Sequence, residues 1–411
     1  MKTSVRTGAY LGLGALVGGL YSWRGGVREG LDSYSHAATA RAVSALLFVG
    51  PIAAAGAAFR IGTIRQSDYL RGAARSEWSV LFRQSRLPIA VGWVGLVSAV
   101  TVLQLMPEMS RNAALPDLVL LLVGCAAILG HVALGTGLAR ITPRSIAVPV
   151  SGVLSYLVIA YPPSFSDPRW RHLTGANSVC CFNNEQLATA ALLAPVLVAV
   201  GVVLAVLAMA KVRRTWRFAA ALGALIFASG ALVATNNLGF DATVPRPSEA
   251  LICSAAGEVC VWPEHRHVVQ PLVDAVSKLR QAGLAMAGTR PEEATGARWT
   301  FLVLGNDLPA LLVASLTNGL LPREPLECST SSPWYGPLSR PIVVAWLSFN
   351  AGVPIEQMTG EYTPKLLSHL RTVLSWPLDE QHRWYDANRV AMSACGTPPT
   401  EDIAAVLGIP Q

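Results

Sequence analysis

Seven stretches of the 411-residue chain are apolar over about the length that a helix needs to cross a lipid bilayer. A hydrocarbon core about 30 Å thick requires roughly 20 such residues. Only 14% of the residues are charged, and the mean hydropathy is +0.43, which is too apolar for an ordinary soluble protein. The chain is therefore predicted to be an α-helical polytopic membrane protein. Its spans are predicted near 7–23, 42–59, 87–106, 118–139, 145–161, 187–210 and 218–235.

The charges between these spans predict the orientation of the chain. With a cytoplasmic N-terminus, the inner segments carry fourteen basic and two acidic residues, whereas the short outer segments carry six of each. Loops rich in lysine and arginine stay on the cytoplasmic side of a membrane. The sequence therefore predicts a cytoplasmic N-terminus and, after seven spans, a C-terminal region outside.

The C-terminal region, 236–411, is long enough to form a domain of its own beside the transmembrane domain, 1–235. It has 12 basic and 17 acidic residues, so the net charge of +7 comes from the membrane half. The basic balance therefore reflects topology, and nucleic acid is not an expected partner. We expect an α-rich mixed α/β extracytoplasmic domain, in which "RPIVVAWLSFNAG" is compatible with either a helix or a strand.

Six of the seven cysteines fall on the predicted outer side, where an oxidising compartment favours disulfides. Cys253 with Cys260 would close a short loop, and Cys328 with Cys395 could tie the end of the tail to its middle. The adjacent Cys180 and Cys181 could bridge each other or reach other partners. The pairing is not determined by the sequence.

The segment "CSAAGEVCVWPEHRHVV", 253–269, gathers the residue types of a metal or catalytic site. His265 and His267 are two residues apart, however, and a zincin needs histidines four apart on one helix face. Pro263 and Glu264 instead suit the first turn of a helix from Pro263 to Gln281, with both histidines solvated or packed on the domain surface. Neither a Walker A motif nor a "GxSxG" motif occurs. We therefore predict no catalytic site, metal site or cofactor in this chain.

The longest inner loop, 60–86, ends in an amphipathic pattern. Apolar Trp78, Leu81 and Phe82 recur at helical spacing among charged residues, which predicts a short helix on the membrane surface. It is either an interfacial anchor or a helix that binds a cytoplasmic partner. The candidate partner-binding residues are Arg75, Glu77, Trp78, Phe82, Arg83 and Arg86.

Two further segments carry a family resemblance: "LFVGPIAAAGAAFRIGTIRQSDYLRGAARSEW" around the second span and "GTGLARITPRSIAVPVSGVL" between the fourth and fifth. They resemble the permease subunits of exporter-type ABC transporters, which pair with separate ATPase subunits. In that family the loop after the second span holds the coupling helix. The usual count is six spans, and this chain has seven.

The resemblance implies a permease in the bacterial plasma membrane that moves an amphiphilic peptide, antibiotic or lipid-like substrate. It would act as a homodimer or paired permease within membrane lipid. ATP and magnesium would be held by the cytoplasmic ATPase subunit, since this chain has no Walker A motif.

Two other hypotheses stay open from the sequence. The chain could be a membrane-anchored sensor or assembly factor whose outer domain binds a ligand or partner. An outer metallohydrolase is the third hypothesis, and it would require stoichiometric zinc in the purified protein.

Overall fold

The structure, a computed structural model, divides into two compact units, Met1–Pro245 and Arg246–Gln411. We call them the first and the second unit. The residues described are 2–24, 34–66, 77–105, 115–176, 180–209, 214–285, 288–294, 298–303, 309–322, 328 and 334–403.

In its described residues, the first unit is a bundle of helices with a small antiparallel pair of strands. Its helices are α1 (Lys2–Arg24), α2 (Ser35–Val43), α3 (Leu46–Gln66), α4 (Glu77–Gln104), α5 (Leu118–Ile141), α6 (Arg144–Ala160), α7 (Thr189–Ala208) and α8 (Arg214–Ala234). Its strands, β1 (Glu185–Leu187) and β2 (Thr243–Pro245), pair antiparallel.

Among the described residues, six helices are long and apolar enough to cross a membrane. The candidate spans are Leu46–Ile64, Ser79–Gln104, Leu118–Ile141, Arg144–Ser164, Thr189–Ala208 and Arg214–Ala234, and the fourth extends from α6 into the following 3₁₀ turn. These six coincide with the second to seventh predicted spans, which confirms the α-helical membrane class. The first predicted span, 7–23, lies in α1, which is not one of the six. A seventh span therefore remains a prediction.

Helix α1 packs closely on α4 through small residues. Gly14 and Gly18, one turn apart on α1, face Gly95, and a Cβ atom on Gly18 would collide with the Gly95 carbonyl. The Ser98 hydroxyl also donates to the Ala15 carbonyl oxygen at 2.8 Å. Small residues and hydroxyl groups at a crossing point are typical of helix pairs in membranes, where apolar side chains gain little by leaving lipid. Helix α1 is thus an integral part of the bundle.

The surface helix predicted at 75–86 is not a separate element. Residues from Glu77 onward belong to α4, which continues without a break into the third predicted span. Nothing between Arg86 and Leu87 interrupts a helical backbone, and the bundle tolerates Pro88 in the helix interior. At 28 residues, α4 is about 42 Å long, so it exceeds the hydrocarbon core by roughly 12 Å.

The second unit is mainly helical, with short strands at one side. Its helices are α9 (Val269–Gln281), α10 (Pro309–Asn318), α11 (Gly336–Asn350), α12 (Pro364–Leu374) and α13 (Leu378–Ser393). The strands β3 (Ile252–Cys253), β4 (Cys260–Val261), β5 (Pro291–Glu292) and β6 (Trp299–Thr300) form one sheet in chain order. Strands β3 and β4 are antiparallel, and the other pairs are parallel.

Three fully buried tryptophans anchor the core of the second unit: Trp262, Trp299 and Trp346. The indole of Trp299 donates to the Leu316 carbonyl oxygen at 2.8 Å, and that of Trp346 donates to Gln381 at 2.9 Å. A buried indole N–H is costly without an acceptor. These bonds therefore fix β6 to α10 and α11 to α13 in specific orientations.

Candidate functional sites

One end of the bundle gathers basic side chains from several helices. The Arg60 guanidinium of α3 donates twice to the Gln84 amide oxygen of α4, at 2.9 and 3.2 Å. Arg144, at the start of α6, lies over the Phe59 ring at 3.7 Å from its centroid. Arg140 of α5 donates to the Met209 carbonyl oxygen at 3.0 Å. We call this the basic end of the first unit.

A small apolar cluster lies beside these arginines. It joins four helices through Ala58, Ile61, Leu81, Ala139 and Ala147. Leu81 of α4 is only 5% exposed. The first turns of α4 are thereby fastened to α3 and to the α5–α6 corner, so a force on this end of α4 would be transmitted to its neighbours.

The predicted partner-binding residues are divided by this packing. Phe82 is 62% exposed, and Arg83 and Arg86 are exposed beside it. The Arg86 guanidinium lies 5.0 Å from the centroid of the Phe82 ring. Glu77 and Trp78 begin α4, and Arg75 lies outside the described residues. The described members therefore form an exposed aromatic and basic surface at the basic end.

A buried histidine joins three helices inside the bundle. His131 of α5 is 7% exposed, and its Nδ1 lies 2.8 Å from the Ser155 hydroxyl of α6. Gly50 of α3 leaves room for the ring, since a Cβ atom there would come within 3.1 Å of His131 Cδ2. This geometry satisfies a polar group that would be costly to leave unpaired in a membrane, and it fastens α3, α5 and α6 together.

In the second unit, the 253–269 segment folds differently from the expectation in one respect. Pro263–Val268 is a 3₁₀ helix that precedes α9, so the predicted helix begins at Pro263 but is 3₁₀ for its first six residues. His267 is exposed, whereas His265 is buried at 3% exposure. The surface placement predicted for His265 is therefore wrong, because the turn directs this ring inward, where a carboxylate accepts a hydrogen bond from its Nδ1–H group.

That carboxylate belongs to Glu293, which is fully buried just after β5. Its oxygens lie 2.8 and 2.9 Å from His265 Nδ1, and they also accept from the backbone N–H groups of Trp262 and Val303 at 3.1 and 3.3 Å. Glu293 thus connects the 3₁₀ helix to the segments on either side of β6. No sequence motif marked it, because it pairs with a residue 28 positions away.

Burial raises the pKa of Glu293 above its ordinary value, although the bond from His265 opposes the shift. A carboxyl group whose pKa is higher in the folded than in the unfolded state binds a proton more tightly when folded. Its contribution to stability is present below the unfolded pKa of about 4.3 and is lost as pH rises through the folded pKa.

We therefore expect the second unit of the wild type to lose stability relative to Glu293→Gln as pH rises above about 4.3. Glutamine does not titrate, so subtracting its profile removes the contributions of all other groups. Hydrogen exchange of α9 peptides in the full chain, measured from pH 4 to 7, reports the difference. A wild-type profile parallel to that of the variant would contradict this account.

An ion pair lies beside the His265–Glu293 hydrogen bonds. Arg246 bonds to Glu264 at 2.6 Å, with both side chains largely buried, and its guanidinium lies 4.1 Å from the centroid of the Trp262 ring. A planar guanidinium suits both a carboxylate and an aromatic face. These contacts hold the first residue of the second unit on its core. Glu264, the carboxylate next to His265 in the sequence, is therefore held in a structural ion pair.

The six predicted disulfide cysteines are all bonded in the structure: Cys180 with Cys181, Cys253 with Cys260, and Cys328 with Cys395. The Cys253–Cys260 bond joins β3 to β4, where the two residues are register partners. Cys125, inside α5, is a free thiol.

Among the described residues, one group of at least three His, Cys, Asp or Glu side chains could converge on a metal ion: His36, Cys180 and Cys181.

That group lies at the opposite end of α5 from the basic end. Asp117, which contacts His36, caps the N-terminus of α5, whereas Arg140 of the basic end lies in its last turn. The Asp117 carboxylate accepts from the Val119 and Leu120 N–H groups and lies 2.7 Å from His36 Nδ1. The bond to His36 is the main cause that lowers the pKa of Asp117. The proximity of His36 to the cysteines was not visible from the sequence, since His36 and Cys180 are 144 positions apart in the chain.

Comparison with known families identifies one similarity. Residues 259–395 match the family described as "Domain of unknown function (DUF7224)". The matched range lies within the second unit and contains His265, Glu293 and the helices α9 to α13. No curated protein and no solved structure matches the chain.

Proposed function

We propose that this chain is the permease subunit of an ABC-type exporter. It would move an amphiphilic substrate, such as a peptide, an antibiotic or a lipid-like molecule, with energy from a separate ATPase subunit. The observation that carries the proposal is the N-terminal end of α4, which extends a membrane-spanning helix beyond the bilayer and ends in an exposed aromatic and basic surface.

This end of α4 is suited to transmit motion. Leu81 is buried against α3, α5 and α6, and Gln84 is bonded to Arg60. Because α4 is one continuous helix, displacement of its first turns by a closing ATPase dimer would tilt the whole span. A detached surface helix would absorb the same displacement in a flexible joint.

The charge distribution supports the orientation that the mechanism needs. The basic end contains Arg60, Arg83, Arg86, Arg140 and Arg144, and lysine and arginine accumulate on the cytoplasmic side. We therefore propose that this end faces the cytoplasm and a nucleotide-hydrolysing partner. The second unit would then lie outside, where disulfides persist, and would gate the exit or recognise the substrate.

Substitution of Phe82 by alanine tests the docking surface. We expect Phe82→Ala, and the double variant with Trp78→Ala, to reduce ATPase co-purification and coupled transport at least about tenfold, since aromatic residues at interface centres contribute about 2 kcal/mol or more. The measurement is quantitative affinity capture of the full chain from membranes, followed by identification of an ATPase with a Walker A motif.

Phe218→Ala is the matched control, because Phe218 is 72% exposed and lies in the first turns of α8, after the arginine-rich segment 211–217. It should leave partner capture unchanged. Equal effects of the two substitutions would mean that exposed aromatics here anchor the bundle in the lipid interface. Failure of the wild-type chain to capture any ATPase would overturn the transporter proposal.

The second candidate function is a membrane-anchored sensor or assembly factor. The separate, tryptophan-rich core of the second unit favours it, because such a unit can bind a ligand without any motion of the spans. In that case, proteins captured by the full chain would lack an ATPase and would crosslink to the second unit.

A further inference from the structure

Three side chains, from α2 and from the start of α5, meet around Cys180 and Cys181. His36 lies on α2, Asp117 precedes α5, and Arg41 of α2 donates to the Cys180 carbonyl oxygen at 3.4 Å. One ring nitrogen of His36 and the two Sγ atoms all lie within 4.8 Å of one another. Both cysteines are buried, at 2% and 6% exposure. We call this group the His36–Cys180–Cys181 cluster.

The hydrogen bonds orient His36 for ligation. Its Nε2 accepts from the Leu187 N–H at 3.2 Å, so this nitrogen carries the lone pair, and the proton on Nδ1 is donated to Asp117 at 2.7 Å. A carboxylate on the far nitrogen of a histidine is the usual arrangement behind metal-binding imidazoles, because it fixes the tautomer and raises the basicity of the ligand. The Tyr34 ring stacks on the imidazole at 5.7 Å between centroids.

We propose that the His36–Cys180–Cys181 cluster is a redox-controlled binding site for a thiophilic d¹⁰ cation, Zn²⁺ or Cu⁺. The disulfide form excludes the ion, and the dithiol form binds it through two thiolates and His36 Nε2. Two soft sulfurs and one imidazole suit these cations and disfavour Mg²⁺ or Ca²⁺. In tetrahedral zinc sites such ligand atoms are roughly 3.5–4 Å apart. The two Sγ atoms, bonded in the disulfide, therefore move apart on reduction, and the ring nitrogen, within 4.8 Å of both, needs only a small movement.

The redox step balances with a dithiol as reductant. The Sγ–Sγ bond breaks, each cysteine sulfur gains one electron and one proton, and the two sulfurs of the reductant join in a new disulfide. Ion binding then displaces the two thiol protons to solvent. His36 Nε2 then gives up the hydrogen bond that it accepts from the Leu187 N–H group and donates its lone pair to the ion. Arg41, which donates to the Cys180 carbonyl oxygen, places a positive charge beside this residue, and nearby cations favour thiolates.

The test counts metal on the purified full chain. The protein is reduced with a phosphine, freed of reductant without oxygen, and equilibrated with Zn²⁺ or with Cu⁺ in the presence of a competing chelator. We expect reduced wild type to bind one equivalent more than Cys180→Ser/Cys181→Ser. His36→Gln should weaken this equivalent at least about tenfold, and Asp117→Asn should weaken it about 10–100-fold. The preferred ion is the one that stays bound to the protein in competition with the chelator of higher affinity.

His172→Gln is the matched control, since His172 is a buried histidine whose Nε2 is bonded to the Gly239 carbonyl oxygen and not to the cluster. It should bind as wild type does. The other four bonded cysteines are present in every variant, so any metal they take cancels in the comparison. Equal stoichiometry in the double serine variant and wild type, or an equal affinity in His36→Gln, would overturn the proposal. Metal binding by the oxidised protein equal to that of the reduced protein would do the same.

Discussion

Replacing Glu293 by alanine should destabilise the second unit by about 3–5 kcal/mol, because three buried donors lose the acceptor that they share. The substitution leaves His265 and the backbone N–H groups of Trp262 and Val303 without their acceptor in a dry interior. Each unsatisfied buried donor costs about 1–3 kcal/mol. Glu293, His265, Trp262 and Val303 are all buried, so these donors lie away from bulk water.

Hydrogen exchange of the full chain in detergent provides the measurement, because it resolves the two units peptide by peptide. Amides of α9 and α11 should exchange faster by roughly 10²–10⁴ in Glu293→Ala, as a fall of 3–5 kcal/mol in opening free energy requires. Asp379→Ala is the control, since Asp379 forms an exposed ion pair with Arg383 within α13 and exposed pairs contribute little. Unchanged protection in Glu293→Ala would show that the pair is dispensable for the fold.

Loss of the Cys328–Cys395 disulfide should be the other large effect. The two cysteines are 67 residues apart, and the chain-entropy relation gives about 4 kcal/mol for a loop of that length. The bond spans α11 to α13, so its loss frees most of the C-terminal half of the second unit in the unfolded state. Cys328→Ser/Cys395→Ser should accordingly lower the unfolding temperature of this unit, Arg246–Gln411, by roughly 2–4 °C for each kcal/mol lost, as expected for a domain of its size.

Cys253→Ser/Cys260→Ser provides a matched comparison within the same unit. These cysteines are only 7 residues apart, so the same relation gives about 2.5 kcal/mol. The difference between the two double variants therefore tests the loop-length argument itself. An equal decrease in unfolding temperature would indicate that local contacts of the bonded sulfurs, rather than chain entropy, dominate.

Local chemistry explains why the membrane class was predictable. Six apolar runs of bilayer length became six helices, because an isolated backbone in lipid must satisfy its own hydrogen bonds and a helix does so without neighbours. The predicted surface helix at 75–86 was wrong for a related reason. A change in amphipathic pattern marks where a helix leaves the lipid, but it does not break the helix, and α4 continues through it.

The "RPIVVAWLSFNAG" segment shows where periodicity was insufficient. A short apolar run fits a buried helix and a buried strand equally well, and only the surrounding core distinguishes them. In the structure, this run lies in α11, whose Trp346 indole requires the Gln381 acceptor of α13. This acceptor, Gln381, lies 35 positions away in the chain, so a local pattern does not contain it.

The apolar helices, the accumulation of arginine at one set of loops and the separate C-terminal unit could all be predicted from the amino-acid sequence. These follow from composition within single segments, which is where the hydrophobic effect and backbone hydrogen bonding act. Only the tertiary structure brought His265 to Glu293, and His36 to Cys180 and Cys181. Such sites depend on distances between residues far apart in the chain, and those distances are set by how the helices pack.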